Sequence, residues 1–309
     1  MDFIEVAGTD RSRRISVYHG DLSSMPERVD FLVVSAFPDK YEPIAGTVIE
    51  SLETKGVSVA TLAGNKEHDL RQSCGFWVSR DLSLQHPQSG FRRLLCFEPA
   101  VIGTPPQVIG ELFRGMFPFL DMIRGSTVAT SLIAAGEQRW GPLEIFCPLV
   151  ESAIQWLRRG LPITELKIVV RSRPLATALA SELRLIAQAV PRAPLESRAP
   201  DYDVFLSYST HDSTAARLIK ETILSPHRNA RVFDFKNEID VGKSYQGEID
   251  RSIESCRKII AVMSPSYFLS PECQEELQMA RLRNKRADSC ILFPIYWRSL
   301  DTESYGYRR

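Results

Sequence analysis

Between Val190 and Pro200 the chain carries three prolines within eleven residues, interleaved with small and charged ones. Proline lacks a backbone N–H and its ring clashes with the preceding turn, so a helix arriving at Val190 cannot continue. No apolar stripe runs through the stretch, so nothing in it asks for burial. It reads as a linker over 186–200, between one domain over 1–185 and a second over 201–309. The chain's 309 residues agree with that division, because a single core stops growing at roughly 250–300 residues.

Both flanks of the linker read as α/β. Arg14–Tyr18 alternates as a half-buried strand does, whereas Phe31–Ala36 is almost continuously apolar, as a central strand covered on both faces requires. Strand-length runs recur at Leu94–Phe97, Val128–Ile133 and Leu166–Val170. Thr47–Leu52 begins a short helix, and Ile145–Leu157 spaces its apolar residues at a helical period. After the linker the alternation returns, with strands expected at 204–208, 231–235, 258–263 and 291–295. Helices are expected between them at 214–224, 246–256 and 272–283. Such succession implies a parallel sheet of flavodoxin-like order, with sites at the carboxyl ends of its strands.

Composition removes several classes of function. Lys plus Arg and Asp plus Glu both number 38, so no overall field grips nucleic acid or anionic lipid. The short basic run Arg281–Arg286 falls where a helix ends, a place that favours cations. The six cysteines are scattered without a C-x-x-C pair, which points to reduced thiols rather than a disulfide framework or a structural metal site. No segment has a leader's basic-then-apolar pattern and no apolar run approaches ~20 residues. A cytoplasmic protein with no membrane partner is the expectation.

The second domain carries motifs in a specific order. Asp201–Asp212 reads DYDVFLSYSTHD, and Glu238–Leu277 reads EIDVGKSYQGEIDRSIESCRKIIAVMSPSYFLSPECQEEL. The first resembles the opening strand of TIR domains. The second resembles, in unbroken order, their BB loop, second helix, third strand and third helix. The closing Cys273-x-x-Glu276-Leu277 is similar to the family's Cys-x-x-Glu-Leu, although the aromatic expected before the cysteine is Glu272 here. The family usually carries a further strand and helix after the Trp297 region. At 309 − 200 = 109 residues this domain is expected to be short, with one sheet edge left open to association.

Local sequence points to the same place. Ser270-Pro271 is a helix start, with serine as the cap and proline in the first turn. Counting onward puts Cys273, Leu277, Ala280 and Met279 on an apolar face, with Glu276 at its margin. Glu272 and Glu275 are ordinary first-turn acids. The resemblance, to bacterial and plant-type NAD-cleaving TIR domains, implies that Glu276 is the catalytic residue. It also implies that NAD+ is a substrate and not a cofactor, and that no metal is needed. Nicotinamide leaves a cationic ring as a neutral molecule, so no general acid is required; a fixed carboxylate stabilises the oxocarbenium-like transition state. Ser207, Ser209 and Thr210 would lie near the substrate, and Lys243 and Tyr245 would contact the nucleotide or gate access.

The first domain resembles a different family. Ile15–Phe37, with Gly20-Asp21-Leu22-Ser23 and Val29-Asp30, is similar to the start of macro domains, and Ser131–Gly136 to their phosphate loop. That likeness implies a macro-like fold with an ADP-ribose-like ligand, Asp21 facing adenine and Gly136 presenting backbone N–H groups to the diphosphate. Ser35-Ala36-Phe37 stands where the family has asparagine and Ala134–Glu137 where it has Gly-x-Gly. Hydrolysis is not expected there, and a degenerate domain serving regulation or assembly stands beside nucleotide sensing. For the whole chain the leading expectation is an NAD+ nucleosidase activated by self-association, in immune or antiviral defence. The alternative is a non-enzymatic adaptor acting through TIR–TIR contacts.

Overall fold

Strands form where apolar runs are covered on both faces and helices where the apolar period is 3.6. In the computed structural model, which describes residues 2–7, 12–99, 105–122, 126–133, 140–189, 200–224, 230–234, 252–287 and 289–299, the chain makes two compact units, Met1–Pro191 and Arg192–Arg309.

The first unit contains strands β1 (Asp2–Ala7), β2 (Ser12–His19), β3 (Val29–Ser35), β4 (Lys66–Leu70), β5 (Phe76–Ser79), β6 (Phe91–Phe97), β7 (Ser126–Thr130) and β8 (Ile163–Val170). Its helices are α1 (Val48–Glu53), α2 (Val59–Gly64), α3 (Arg71–Cys74), α4 (Pro105–Met122), α5 (Pro142–Arg158) and α6 (Arg173–Ala189). The sheet order is β1-β2-β8-β7-β3-β6-β5-β4. The five strands from β2 to β6 pair in parallel, and antiparallel strands flank them on both sides. On one face Ile49, Leu52 and Val59 of α1 and α2 pack on Leu32 and Val34 of β3 and Leu94 and Cys96 of β6. The α4–α5–α6 series packs helix on helix, with α6 against β1 and β2.

Three departures from the sequence expectation have physical causes. The expected strand at Val128–Ile133 ends at Thr130. A hairpin absent from the apolar pattern, β4–β5, follows from the turn at α3. Gly75 closes that turn at φ 69°, and a β-carbon there would sit 3.1 Å from the Glu98 carbonyl oxygen. β1 pairs with only one neighbour and so needs only half a strand's apolar content.

The second unit has strands β9 (Tyr202–Ser207), β10 (Val232–Phe233), β11 (Cys256–Met263) and β12 (Leu292–Tyr296), all parallel, in the order β10-β9-β11-β12. Helices α7 (Ser213–Ile219), α8 (Pro265–Leu269) and α9 (Pro271–Arg286) complete the elements used below. The expected strand at 258–263 begins two residues earlier. Only 252–256 of the expected helix at 246–256 is described: 252–255 is helical, and Cys256 already opens β11. The strand order is flavodoxin-like: the chain leaves β9 to one side for β10 and returns to its other side at β11. A crevice therefore opens at the carboxyl ends of β9 and β11.

Candidate active site

Two serine-proline helix starts build the crevice. Ser264, just after β11, accepts a hydrogen bond from the Tyr267 backbone N–H at 3.0 Å, with Pro265 in the first turn of α8. Ser270 accepts from the Cys273 N–H at 3.3 Å, with Pro271 in the first turn of α9. Each cap satisfies an amide that the helix leaves without a partner and fixes the angle at which the helix leaves the sheet. Cys273, Leu277, Met279 and Ala280 are buried, as the helical count requires, and hold α9 against β9 and β11.

That docking carries Glu276 inward rather than to the margin of the face. It is 6% exposed and accepts a hydrogen bond from the Ser207 hydroxyl at 2.6 Å. Ser207 Oγ also lies 2.7 Å from the fully buried Tyr267 hydroxyl. Behind them, Ser264 donates to Asp212, whose side chain is buried. At the other side of β9 Tyr208 donates to Asp234 at 2.9 Å and Lys220 pairs with the same carboxylate, which ties the end of β9 to that of β10.

A cavity of ≈ 550 Å³ opens above this arrangement, lined by Glu276, Cys273, Glu272, Ser270, Leu269, Ser266 and the turn Tyr208–His211. That volume is within the range of small-molecule sites. Burial pushes the Glu276 carboxyl up to about 8; the Ser207 hydrogen bond works against this, while the charges of Glu275 and Glu272 add to it. Burial, and then the charge of Glu276, also raises the Cys273 thiol, which disfavours its thiolate form. Among the described residues no cluster of His, Cys, Asp and Glu could hold a metal ion.

Of the residues expected near a substrate, Ser209, Thr210 and Glu276 line the cavity. Ser209 also accepts from the His211 N–H at 3.3 Å, which stiffens the turn. Ser207 does not line it: at 2% exposure it is spent on Glu276, because the last residue of a central strand points its side chain into the layer beneath the crevice. Lys243 and Tyr245 lie outside the described residues, as does Gly136. The pattern of motifs had not singled out His211 or Ser266, and the cap Ser270 also faces the cavity; each is polar and lies beside a helix start, the one signal they offered.

Residues 204–306 match the family model described as TIR domain. The second unit is a TIR domain. A similar solved structure is the TIR domain of the Toll-related receptor TRR-2 from Hydra magnipapillata, at 24% identity over 32% of this chain and 74% of that one, with a TM-score of 0.27. The first unit is similar to macrodomains. The Oceanobacillus iheyensis macrodomain with ADP is 13% identical over 61% of this chain and 98% of that one, TM-score 0.42. The Trypanosoma brucei macrodomain in complex with ADP-ribose is 14% identical over 55% and 68%, TM-score 0.41. No curated protein matches the chain significantly.

In the first unit Asp21 caps the turn Leu22–Ser24 and lies 3.0 Å from Lys55 and 3.6 Å from Arg171. Burial alone would raise its carboxyl, but the hydrogen bonds from Lys55 and Ser23 outweigh it and hold it at about 2. No described helix is long and apolar enough to cross a membrane.

Proposed function

We propose that the TIR domain cleaves the nicotinamide–ribose bond of NAD+, with Glu276 as the carboxylate that faces the developing positive charge. One observation carries the reading: a glutamate buried to 6% exposure yet lining a cavity at the strand switch point. A carboxyl in such a place is costly unless it has a task, and perturbed acids in clefts are functional-site candidates. The chemistry asks for one group only. Nicotinamide departs neutral, the ribose carbon becomes cationic, and a fixed anion beside it lowers the barrier. The cationic nicotinamide ring itself favours the ionised form of Glu276, so substrate binding readies the acid that serves it.

Activity is expected to depend on self-association. One of the two outer strands among the described residues, β12, leaves Phe293 44% and Tyr296 49% exposed, and such an edge favours pairing with a second copy. The first unit is assigned a regulatory role within a defence response. Because Asp21 is already bridged to Lys55 and Arg171, an ADP-ribose-like ligand would have to open one of those pairs. Calorimetric titration of the full chain with ADP-ribose tests that point, and absence of heat leaves regulation without a nucleotide.

The test of the activity is nicotinamide release from NAD+ by concentrated full-length protein beside Glu276→Ala. Release by the wild type alone supports the assignment. Equal release by both, or none by either, removes it, and an adaptor working by TIR–TIR contact becomes the reading.

A further inference from the structure

We propose that Ser207 and Tyr267 are positioning residues that set the charge of Glu276 through a directed chain of two hydrogen bonds. The inference rests on Glu276 being the reacting carboxylate. Its content is separate: which groups outside the cavity decide how readily that acid ionises.

The direction of the chain follows from proton counting. An ionised carboxylate only accepts, and the Ser207 hydroxyl has one proton to give. That proton lies on the 2.6 Å contact to Glu276 Oε2. Ser207 Oγ is then an acceptor toward Tyr267, so across the 2.7 Å contact the phenol donates. When Glu276 is protonated, Ser207 is left donating to a neutral carboxyl oxygen, a weaker acceptor than a carboxylate. The arrangement therefore favours the ionised acid. Ser207 is 2% exposed and Tyr267 fully buried, so water cannot substitute for either link, and each bond strengthens its neighbour in the low dielectric.

Packing alone does not account for the hydroxyl at position 267. Phenylalanine would fill the space between Phe268 and the buried face of α9, whereas a buried hydroxyl is destabilising unless it is hydrogen-bonded. Tyr267 is also held from behind, because Ser264 caps its amide and donates to Asp212. The titratable groups around Glu276 among the described residues are Glu272, Glu275 and Cys273 from α9, Tyr267 from α8, and Tyr208, His211 and Asp212 from the turn after β9. None of the others donates to the carboxylate in the way Ser207 does.

The test uses the full chain with ¹³C-labelled glutamate, following the Glu276 side-chain carboxyl by NMR across pH, with Glu276→Gln to assign the signal. Tyr267→Phe removes one oxygen from a buried ring and is expected to move the Glu276 titration up by about one pH unit. Ser207→Ala should move it further, and Ser207→Thr, which keeps the hydroxyl, should restore it. The acid limb of kcat/KM for nicotinamide release should move in parallel, with kcat changing and KM held. If Tyr267→Phe and Ser207→Ala leave the Glu276 titration in place, whatever they do to activity or melting temperature, the proposal is overturned. NMR movement without nicotinamide release by any form supports this chain of hydrogen bonds and removes the NAD+ reading instead.

Discussion

Glu276 sits where its charge is disfavoured. Its carboxyl is held at about 8 by burial and neighbouring acids, against ~4.3 for an unfolded glutamate. Between those values the folded chain holds a proton that the unfolded chain has released, so this residue makes stability fall as pH rises through the window. Glu276→Gln removes that cost. At pH 8.5 the variant should be more stable than the wild type by roughly 2–4 kcal/mol in denaturant unfolding, with the gain vanishing near pH 4. It should release no nicotinamide. A structural glutamate would give the opposite sign, a loss of stability on substitution. The same titration sets the pH profile. If the carboxylate is the active form, as proposed, kcat/KM should climb with pH to a plateau above about 8, the value for the free site. The limb in kcat should lie lower, because the bound cationic ring favours ionisation. Coincident limbs in steady-state assays from pH 5 to 10 would count against a role beside the cation.

The elements that present Glu276 are short and depend on their caps. Ser264 is the most heavily used: it accepts from the Tyr267 amide and donates to Asp212 Oδ2, while the other oxygen of that carboxylate, Oδ1, is buried without a hydrogen-bond partner in the described structure. Ser264→Ala is expected to cost ~2–3 kcal/mol, the sum of a lost cap and a stranded buried carboxylate, read as a lower melting temperature. A change below 0.5 kcal/mol would mean that α8 is held by packing alone. The Ser270-Pro271 start and the buried face of α9 were legible in the sequence, but the helical spacing put Glu276 only at the margin of that face, and it was the order of motifs from Asp201 that singled it out. The apolar run of β3 was equally plain, since a strand covered on both faces must be apolar throughout. The link from Ser207 to Tyr267 and Glu276 was not legible. It joins residues 60 and 69 positions apart, and only the register that sets Ser207 opposite Ala261 brings the ends of β9 and β11 level. The hairpin strand β4, reading Lys-Glu-His-Asp-Leu, gives no strand signal because its position at the sheet edge asks for little apolar surface.

Each unit of the molecule has its own core, and a polar knot in the first illustrates how separately they can be perturbed. Glu98 is 3% exposed and accepts from the Trp77 indole N–H at 2.6 Å, the Tyr41 hydroxyl at 2.5 Å and the Asp39 amide at 3.1 Å, with Arg71 at 3.3 Å. Glu98→Ala strands those donors and is expected to cost ~3–5 kcal/mol. Calorimetry should show it as a lowered transition for the first unit alone, since the contacts lie wholly within Met1–Pro191. A matching fall in the TIR transition would show the two cores to unfold as one. The central claim, that the TIR domain is an NAD+-cleaving enzyme working through Glu276, is tested most directly by nicotinamide release over a range of protein concentration. Wild type should show specific activity that rises with concentration, and Glu276→Gln none at any concentration despite its greater stability. Equal release by a folded Glu276→Gln protein, or none by concentrated wild type, would contradict it.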